Sequence, residues 1–255
     1  MSGKLWIVGL GPGDAALQTP QAAEALARAT DLVGYGPYVD RVPPAPGQVR
    51  HASDNRVELD RARLALSLAA RGQAVAVVSS GDAGVFAMAS AVFEAIDNGD
   101  PAWRLLDVEV VAGISAMFAA AARIGAFLGH DFCALSLSDN LKPWALVLKR
   151  LRAAAEAGLV MALYNPISRA RPWQLAEAFA LLREILPPTT PVVFATAISR
   201  PDETIDIVDL AAADPARADM RTLVMVGTAA TKRIARPGRQ RPWVYTPRFA
   251  DEAAS

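Results

Sequence analysis

Short apolar runs alternate along the chain with stretches whose apolar residues recur every three to four positions, a pattern that predicts strands and helices in turn. Runs at 5–8, 31–34 and 74–79 read as strands, and the amphipathic stretches 20–29, 57–71 and 85–96 read as helices. Asn55 followed by Glu58 has the spacing of a capping box for the second of these helices. Beyond Gly113 the pattern predicts helices at 116–124, 144–157 and 173–186, with strands at 132–138, 159–164, 192–197, 204–208 and 222–226. Strands alternating with helices predict α/β layers with mostly parallel pairing, at least in the first half. Strands built almost wholly from Val, Ala and Leu predict helices on both faces of the sheet. The 113–129 region divides two halves of similar size, so the expected organisation is two α/β domains, 1–114 and 115–255.

Composition narrows the function classes. With 53% hydrophobic residues the 255-residue chain can bury a sizeable core, which excludes a disordered binder. Lys and Arg number 26 against 26 Asp and Glu, and this zero net charge argues against non-specific nucleic-acid binding. The basic tail of Lys232, Arg233, Arg236, Arg239 and Arg241 reads as a solvated terminal face. The single cysteine, Cys133, lies between Phe132 and Ala134 and reads as a small buried side chain, and no disulfide can form within the chain. The stretch 110–122 lacks charge and proline but is too short to span a bilayer. With no signal-peptide pattern at the start, a cytoplasmic protein that does not bind membrane is expected. The two histidines, His51 and His130, are spaced for no metal site, and His51 reads as structural.

Four loops follow predicted strands, where open α/β sheets bind ligands. They are Gly9-Leu10-Gly11-Pro12-Gly13-Asp14, Ser79-Ser80-Gly81-Asp82-Ala83-Gly84-Val85-Phe86, Ala112-Gly113-Ile114-Ser115-Ala116 and Tyr164-Asn165-Pro166. The first resembles a nucleotide loop but suits phosphate badly, because Pro12 removes an N–H donor and Asp14 adds a negative charge. Its spacing also misses the dinucleotide fingerprint, which places a glycine where this chain has Asp14. Each loop taken singly is ordinary turn chemistry: Asp82 and Ser115 can cap the helices that follow them, and Asn-Pro starts turns. Their joint occurrence favours one shared cleft for a ligand without a pyrophosphate.

These residues are similar to the tetrapyrrole methylases, over nearly the whole chain. The shared segments are Val-Gly-Leu-Gly-Pro-Gly-Asp at 8–14, Ser-Ser-Gly-Asp-Ala-Gly-Val-Phe at 79–86, Ala-Gly-Ile-Ser-Ala at 112–116 and Leu-Tyr-Asn-Pro at 163–166. Segments at 34–38, 128–132, 136–139 with 143–144, 165–169 with 171–172, and 245–249 place it nearest the members that methylate precorrin-3B at C17. Three segments depart from the family pattern. Phe86-Ala87-Met88-Ala89-Ser90 stands for Tyr-Gly-Met-Ala-Gly, Ala197-Ile198-Ser199-Arg200 for Asn-Ala-Gly-Arg, and Gly227-Thr228-Ala229-Ala230-Thr231 for Gly-Asn-Ser-x-Thr.

The resemblance implies two α/β domains of the tetrapyrrole methylase type, with S-adenosylmethionine (SAM) as methyl donor in the interdomain cleft, in a homodimer. It implies cofactor contacts at Pro12, Ser80, Gly81, Asp82, Val85, Ser115, Ala116, Asn165, Ile198, Gly227 and Thr228, the last two through main chain. The implied reaction is SAM-dependent methylation of precorrin-3B at C17 with ring contraction to precorrin-4, in the cobalamin pathway. Action at another ring carbon, on a cobalt-containing precorrin, or as a non-catalytic tetrapyrrole or SAM binder stays open. Methyl transfer needs alignment more than a nucleophilic side chain, whereas contraction calls for removal of a hydroxyl proton, for which Asp82, Asp139 and His130 are candidates. The substrate's many carboxylates would give Arg169, Arg171, Arg200 and Lys142 a use.

Overall fold

The run Lys-Leu-Trp-Ile-Val-Gly becomes a strand buried on both faces: Leu5, Ile7 and Val8 have no exposed surface. The structure, a computed structural model, describes residues 3–54, 57–168 and 170–249. Two units divide the chain, Met1–Ser115 and Ala116–Ser255. Arg169 and the proposed capping residue Asn55 lie outside the described residues. Val57, which immediately precedes that helix, makes no side-chain cap.

The first unit runs β1 (Lys4–Gly9), α1 (Pro20–Arg28), β2 (Asp31–Tyr35), α2 (Gly36–Val39), β3 (Val49–Ser53), α3 (Glu58–Ala70), β4 (Ala74–Ser79), α4 (Met88–Asn98) and β5 (Asp107–Val111). Its five strands pair in parallel in the order β3-β2-β4-β1-β5. Leu5, Ile7, Val75 and Val77 pack with Leu66 of α3 and Val92 of α4, while Trp6, Val8, Ala76 and Val78 pack with Ala25 and Leu26 of α1. This two-sided burial is what the unbroken apolar strands predict. The edge strands β3 and β5, with sequences VRHAS and DVEVV, fall outside the predicted set because their mixed polar composition masks them. His51 has the structural part expected of it, with Nε2 2.8 Å from Oδ1 of buried Asp31.

The second unit runs α5 (Ala116–Ile124), β6 (Gly125–Ala126), β7 (Phe132–Ser136), α6 (Trp144–Glu156), β8 (Val160–Tyr164), α7 (Gln174–Ile185), β9 (Pro191–Thr196), β10 (Thr204–Asp209), β11 (Thr222–Val226), β12 (Lys232–Ile234) and β13 (Trp243–Tyr245). Its main sheet has the order β10-β9-β11-β8-β7, parallel only between β7 and β8. The core beneath it joins Leu151 of α6 and Phe179 of α7 to Leu163, Phe194 and Val224. The strands β12, β13 and β6 form a small separate sheet. The basic tail is therefore partly strand: Arg233 pairs with Asp209 and donates to the Val208 carbonyl, and Arg236 stacks on Trp243 at 4.6 Å. Cys133 is half-buried against the core, and burial pushes its thiol above the ordinary range.

Candidate functional site

In the first unit β4, β1 and β5 are neighbours and parallel, so the loops that leave their carboxyl ends lie side by side. Gly11 and Gly81 exchange backbone hydrogen bonds of 3.1 and 2.9 Å, both glycines in the left-handed region at φ +73° and +66°. A Cβ on Gly113 would stand 2.2 Å from the Gly81 carbonyl oxygen, and one on Gly9 would stand 2.8 Å from the Gly113 nitrogen. The glycines thus serve first to let three loops touch through their backbones.

Two charged side chains lock this junction. Asp82 accepts the Gly84 N–H on Oδ1 at 2.8 Å and the Gly113 N–H on Oδ2 at 2.9 Å, tying the β4 loop to the β5 loop. The helix expected from residue 85 begins only at Met88, so Asp82 does not cap it and acts as a loop staple. Arg41, which sequence reasoning missed, donates to the Ser80 hydroxyl at 2.9 Å and to the Leu10 and Gly11 carbonyls at 3.3 and 3.0 Å, tying the β1 loop to the β4 loop. Only the signal "basic residue after the second strand" was available for it. Pro12 and Ser115 are buried beside these loops, and Ser80 and Val85 are half-buried. The N–H groups of Leu10, Gly11, Gly81 and Gly113 are all used inside the protein, so these four donors form no anion cradle.

In the second unit the strand directions sort the predicted residues into two groups. Because β8 and β9 both run antiparallel to β11, the carboxyl ends of β7, β8 and β9 share one edge with the amino end of β11. Asn165 and Ile198 lie there, and so does Ala116, whose neighbour Met117 donates its N–H to the Tyr164 hydroxyl at 3.2 Å. Thr222, unremarked in the sequence, joins them through a 2.7 Å hydroxyl contact with Thr196. Asp139, Lys142, Arg171 and Arg200 follow the same strand ends.

Gly227 and Thr228 are corrected by this topology. Gly227 donates to the carbonyl of Pro191, the first residue of β9, which puts it at the opposite edge from Ile198, a strand length of about 17–20 Å away. Thr228 is 7% exposed, its N–H donates to the Thr231 hydroxyl at 2.9 Å and its carbonyl accepts the Thr231 N–H, so its main-chain donor is spent. Thr231 continues to Thr246 at 3.0 Å, and Thr246 donates to the Phe127 carbonyl at 2.8 Å, so these threonines stitch the chain's end to the sheet. His130 is also at that amino edge: Val160 at the start of β8 donates to the carbonyl of Asp131, the next residue. The two candidate bases His130 and Asp139 therefore lie at opposite ends of β7.

Strain marks the same loops. Among the described residues the non-glycine positions with positive φ are Phe86 (52°), Asn165 (51°), Ala197 (50°) and Ser199 (61°), all in loops after β4, β8 and β9. Left-handed backbone in such residues costs energy and collects at functional sites. Ser199 occupies the position where the family pattern has glycine, which explains its strain.

Comparisons with known proteins place the chain in a family. Residues 4–214 match the model of the tetrapyrrole (corrin/porphyrin) methylases. The chain is 58% identical over 98% of its length, and 98% of the other, to a Sinorhizobium protein named precorrin-3B C(17)-methyltransferase. It is 40% identical, over 89% of its length and 93% of the relative's, to a Salmonella typhimurium protein named probable cobalt-factor III C(17)-methyltransferase. A crystal structure of the methyltransferase CobJ aligns at a TM-score of 0.92 and 52% identity, covering 96% of this chain and all of that one. The chain belongs to the tetrapyrrole (corrin/porphyrin) methylases.

Proposed function

We propose that this chain is a SAM-dependent methyltransferase that methylates precorrin-3B at C17, with contraction of the ring to precorrin-4. The observation that carries the reading is the interlocked junction of the β1, β4 and β5 loops, on a chain 58% identical to a relative of that name. The relative named for a cobalt-containing substrate is 40% identical, which favours the metal-free precorrin.

The junction fits SAM by its chemistry. The N–H groups of Leu10, Gly11, Gly81 and Gly113 are bound within the protein, and the carboxylate of Asp82 is held by the N–H groups of Gly84 and Gly113. A carboxylate suits a ligand that carries a sulfonium and an amino-acid end. Pro12, Ser80, Gly81, Val85 and Ser115 would hold the cofactor in the first unit, with Asp82 and Arg41 fixing the loops. In the second unit Ala116, Asn165, Ile198 and Thr222 are the contacts we carry forward. When bound, SAM supplies an electrophilic methyl group to a substrate carbon. The protein's part is alignment and exclusion of water, which is worth more here than a reactive side chain.

For contraction we assign the proton acceptor to Asp139. Asp82 has both oxygens on backbone N–H groups, and His130 lies at the other edge of its sheet. Among the described residues Asp139 accepts from Gln174 Nε2 at 3.3 Å on each oxygen, longer than the 2.8 and 2.9 Å bonds on Asp82, which leaves its oxygens the more open of the two to a proton. The reading also carries a homodimer and a cytoplasmic location. Among the described residues no helix is long and apolar enough to cross a membrane.

The test is turnover of anaerobic precorrin-3B with labelled SAM, with the product examined by carbon NMR. Label in a contracted macrocycle is expected from the natural protein, and a methylated but uncontracted skeleton from Asp139→Asn, because general-base assistance is worth about two to four powers of ten. No label transfer to precorrin-3B refutes the reading, and contracted product at the natural rate from Asp139→Asn removes the base assignment.

A further inference from the structure

A charged side chain lies inside the first unit, apart from the residues assigned to the cofactor. Arg61, in the first turns of α3, is 5% exposed. Its guanidinium donates through Nε to the Ser53 hydroxyl at 2.9 Å, through Nη2 to the Asp54 carbonyl at 2.7 Å and through Nη1 to the Met88 thioether at 3.3 Å. Asp60 of the same helix pairs with Arg63, and among the described residues no carboxylate pairs with Arg61. Burial pushes the guanidinium below its ordinary range, with Glu58 the largest opposing influence. A thioether is a weak acceptor, and Met88 is the first residue of α4, the end at which a helix dipole disfavours a cation.

Stability does not account for this arrangement. The Ser53 hydroxyl also donates to the Gly34 carbonyl at 3.4 Å, Asp54 is exposed to water, and a thioether needs no donor, so none of the three acceptors depends on Arg61. An apolar side chain of similar length would hold α3 at least as well. What the contacts fix is position. The Met88 N–H donates to the hydroxyl of buried Ser79 at 3.2 Å and the Ala89 N–H to the Ala83 carbonyl at 3.0 Å, closing the β4 loop at its base. Ser53 stands opposite Tyr35 in the β2–β3 register, and the Gly34 carbonyl it reaches opens the Gly-Tyr-Gly-Pro-Tyr segment. One guanidinium therefore ties together the carboxyl ends of β3, β2 and β4, three consecutive strands of the sheet.

We propose that Arg61 is a positioning residue for the β4 loop: its guanidinium anchors the downstream foot of the loop, at Met88, to the ends of β2 and β3, and so sets where Ser80, Gly81 and Val85 meet the methyl donor. The assignment of a cofactor to that loop rests on the reading of the chain as a SAM-dependent methyltransferase. Arg41 holds the upstream foot at Ser80, so the loop is gripped at both ends by guanidiniums. A planar fork with donors in several directions spans three strand ends, which the single ammonium of a lysine cannot do.

Arg61→Met and Arg61→Lys, with Arg63→Met on the exposed face of the same helix as control, test this. Calorimetry should show Arg61→Met binding S-adenosylhomocysteine about tenfold more weakly, the size of one lost hydrogen bond. Amide hydrogen exchange should quicken across residues 80–88, where the Gly81, Gly84 and Met88 N–H groups are bonded in the natural protein. The melting temperature should stay within about 3 °C of the natural value or rise, because a buried cation is removed. A merely structural arginine gives the reverse, a lower melting temperature with affinity and loop exchange unchanged, and that result overturns the proposal. Arg61→Lys keeps the charge without the fork and should still bind more weakly than the natural protein; natural affinity and exchange in that variant overturn the proposal, including where Arg61→Met fails to fold. Arg63→Met should match the natural protein, and an equal loss there overturns it too. If the natural protein does not bind S-adenosylhomocysteine, the cofactor reading fails, and hydrogen exchange decides the anchor separately. Faster exchange at 80–88 in Arg61→Met than in Arg63→Met then upholds it, and equal exchange overturns it.

Discussion

Gly113→Ala is the sharpest perturbation of the loop junction, because the structure sets its size. The added methyl would lie 2.2 Å from the Gly81 carbonyl oxygen and 2.8 Å from both the carbonyl carbon and oxygen of Gly9, all of them backbone atoms. Carbon and oxygen rest about 3.3 Å or more apart, so one loop must retreat by about 1 Å. That oxygen accepts the Gly11 N–H at 3.1 Å, and the Gly113 N–H is bound to Asp82 at 2.9 Å, so the retreat strains or breaks both. Overpacking costs about 1–3 kcal/mol and a hydrogen bond to a charged group about 1.5–3 kcal/mol. The two overlap, and a total near 3 kcal/mol, about 150-fold in the folding equilibrium, is expected. Urea unfolding reads that loss, and calorimetry with S-adenosylhomocysteine reads the accompanying fall in affinity. Gly36→Ala is the control: no atom lies within 4 Å of its Cβ, so it should stay within about 0.5 kcal/mol of the natural protein. Asp82→Ala removes the same staple, so combining it with Gly113→Ala should cost less than the sum. If Gly113→Ala unfolds and binds like Gly36→Ala, the loops are not interlocked as described.

Two further substitutions probe strain and clamping. Ser199→Gly relieves a left-handed backbone at φ +61° and deletes a buried, unpartnered hydroxyl, so it should stabilise the chain by about 1 kcal/mol in urea unfolding; a loss of stability would refute the strain. Arg41→Met removes the bonds to Ser80, Leu10 and Gly11, and should raise the KM for SAM about tenfold while sparing that for precorrin-3B, with partial rescue by Arg41→Lys; equal rises in both would make Arg41 a general structural residue.

Much of this molecule is legible from local pattern. The buried strands β1, β2, β4, β8, β9 and β11 announce themselves as apolar runs because burial on both faces demands it. The family segments locate the β1, β4 and β5 loops, since only glycine tolerates backbone contacts as close as those at Gly9 and Gly113. Edge strands β3 and β5 escape notice because one open side relaxes the apolar requirement, and β12 and β13 because three residues each are too few to show a period.

Which residues meet one another is a different kind of question, and strand direction answers it. Nothing local distinguishes Thr222 from Thr228, yet antiparallel pairing of β11 sends one to the edge of Asn165 and Ile198 and the other to the opposite edge with His130. Arg41 reaches the β4 loop from 39 residues away, and Asp139, Arg171 and Gln174 gather only because β7 and β8 run parallel. The sequence by itself determined the elements, the glycine loops and the family, because these follow from burial and sterics within a few residues. The tertiary structure decided the Asp82 staple, the Arg41 bonds and the contact of Arg171 with Asp139, because hydrogen bonds and charges act between side chains that the chain brings together only on folding.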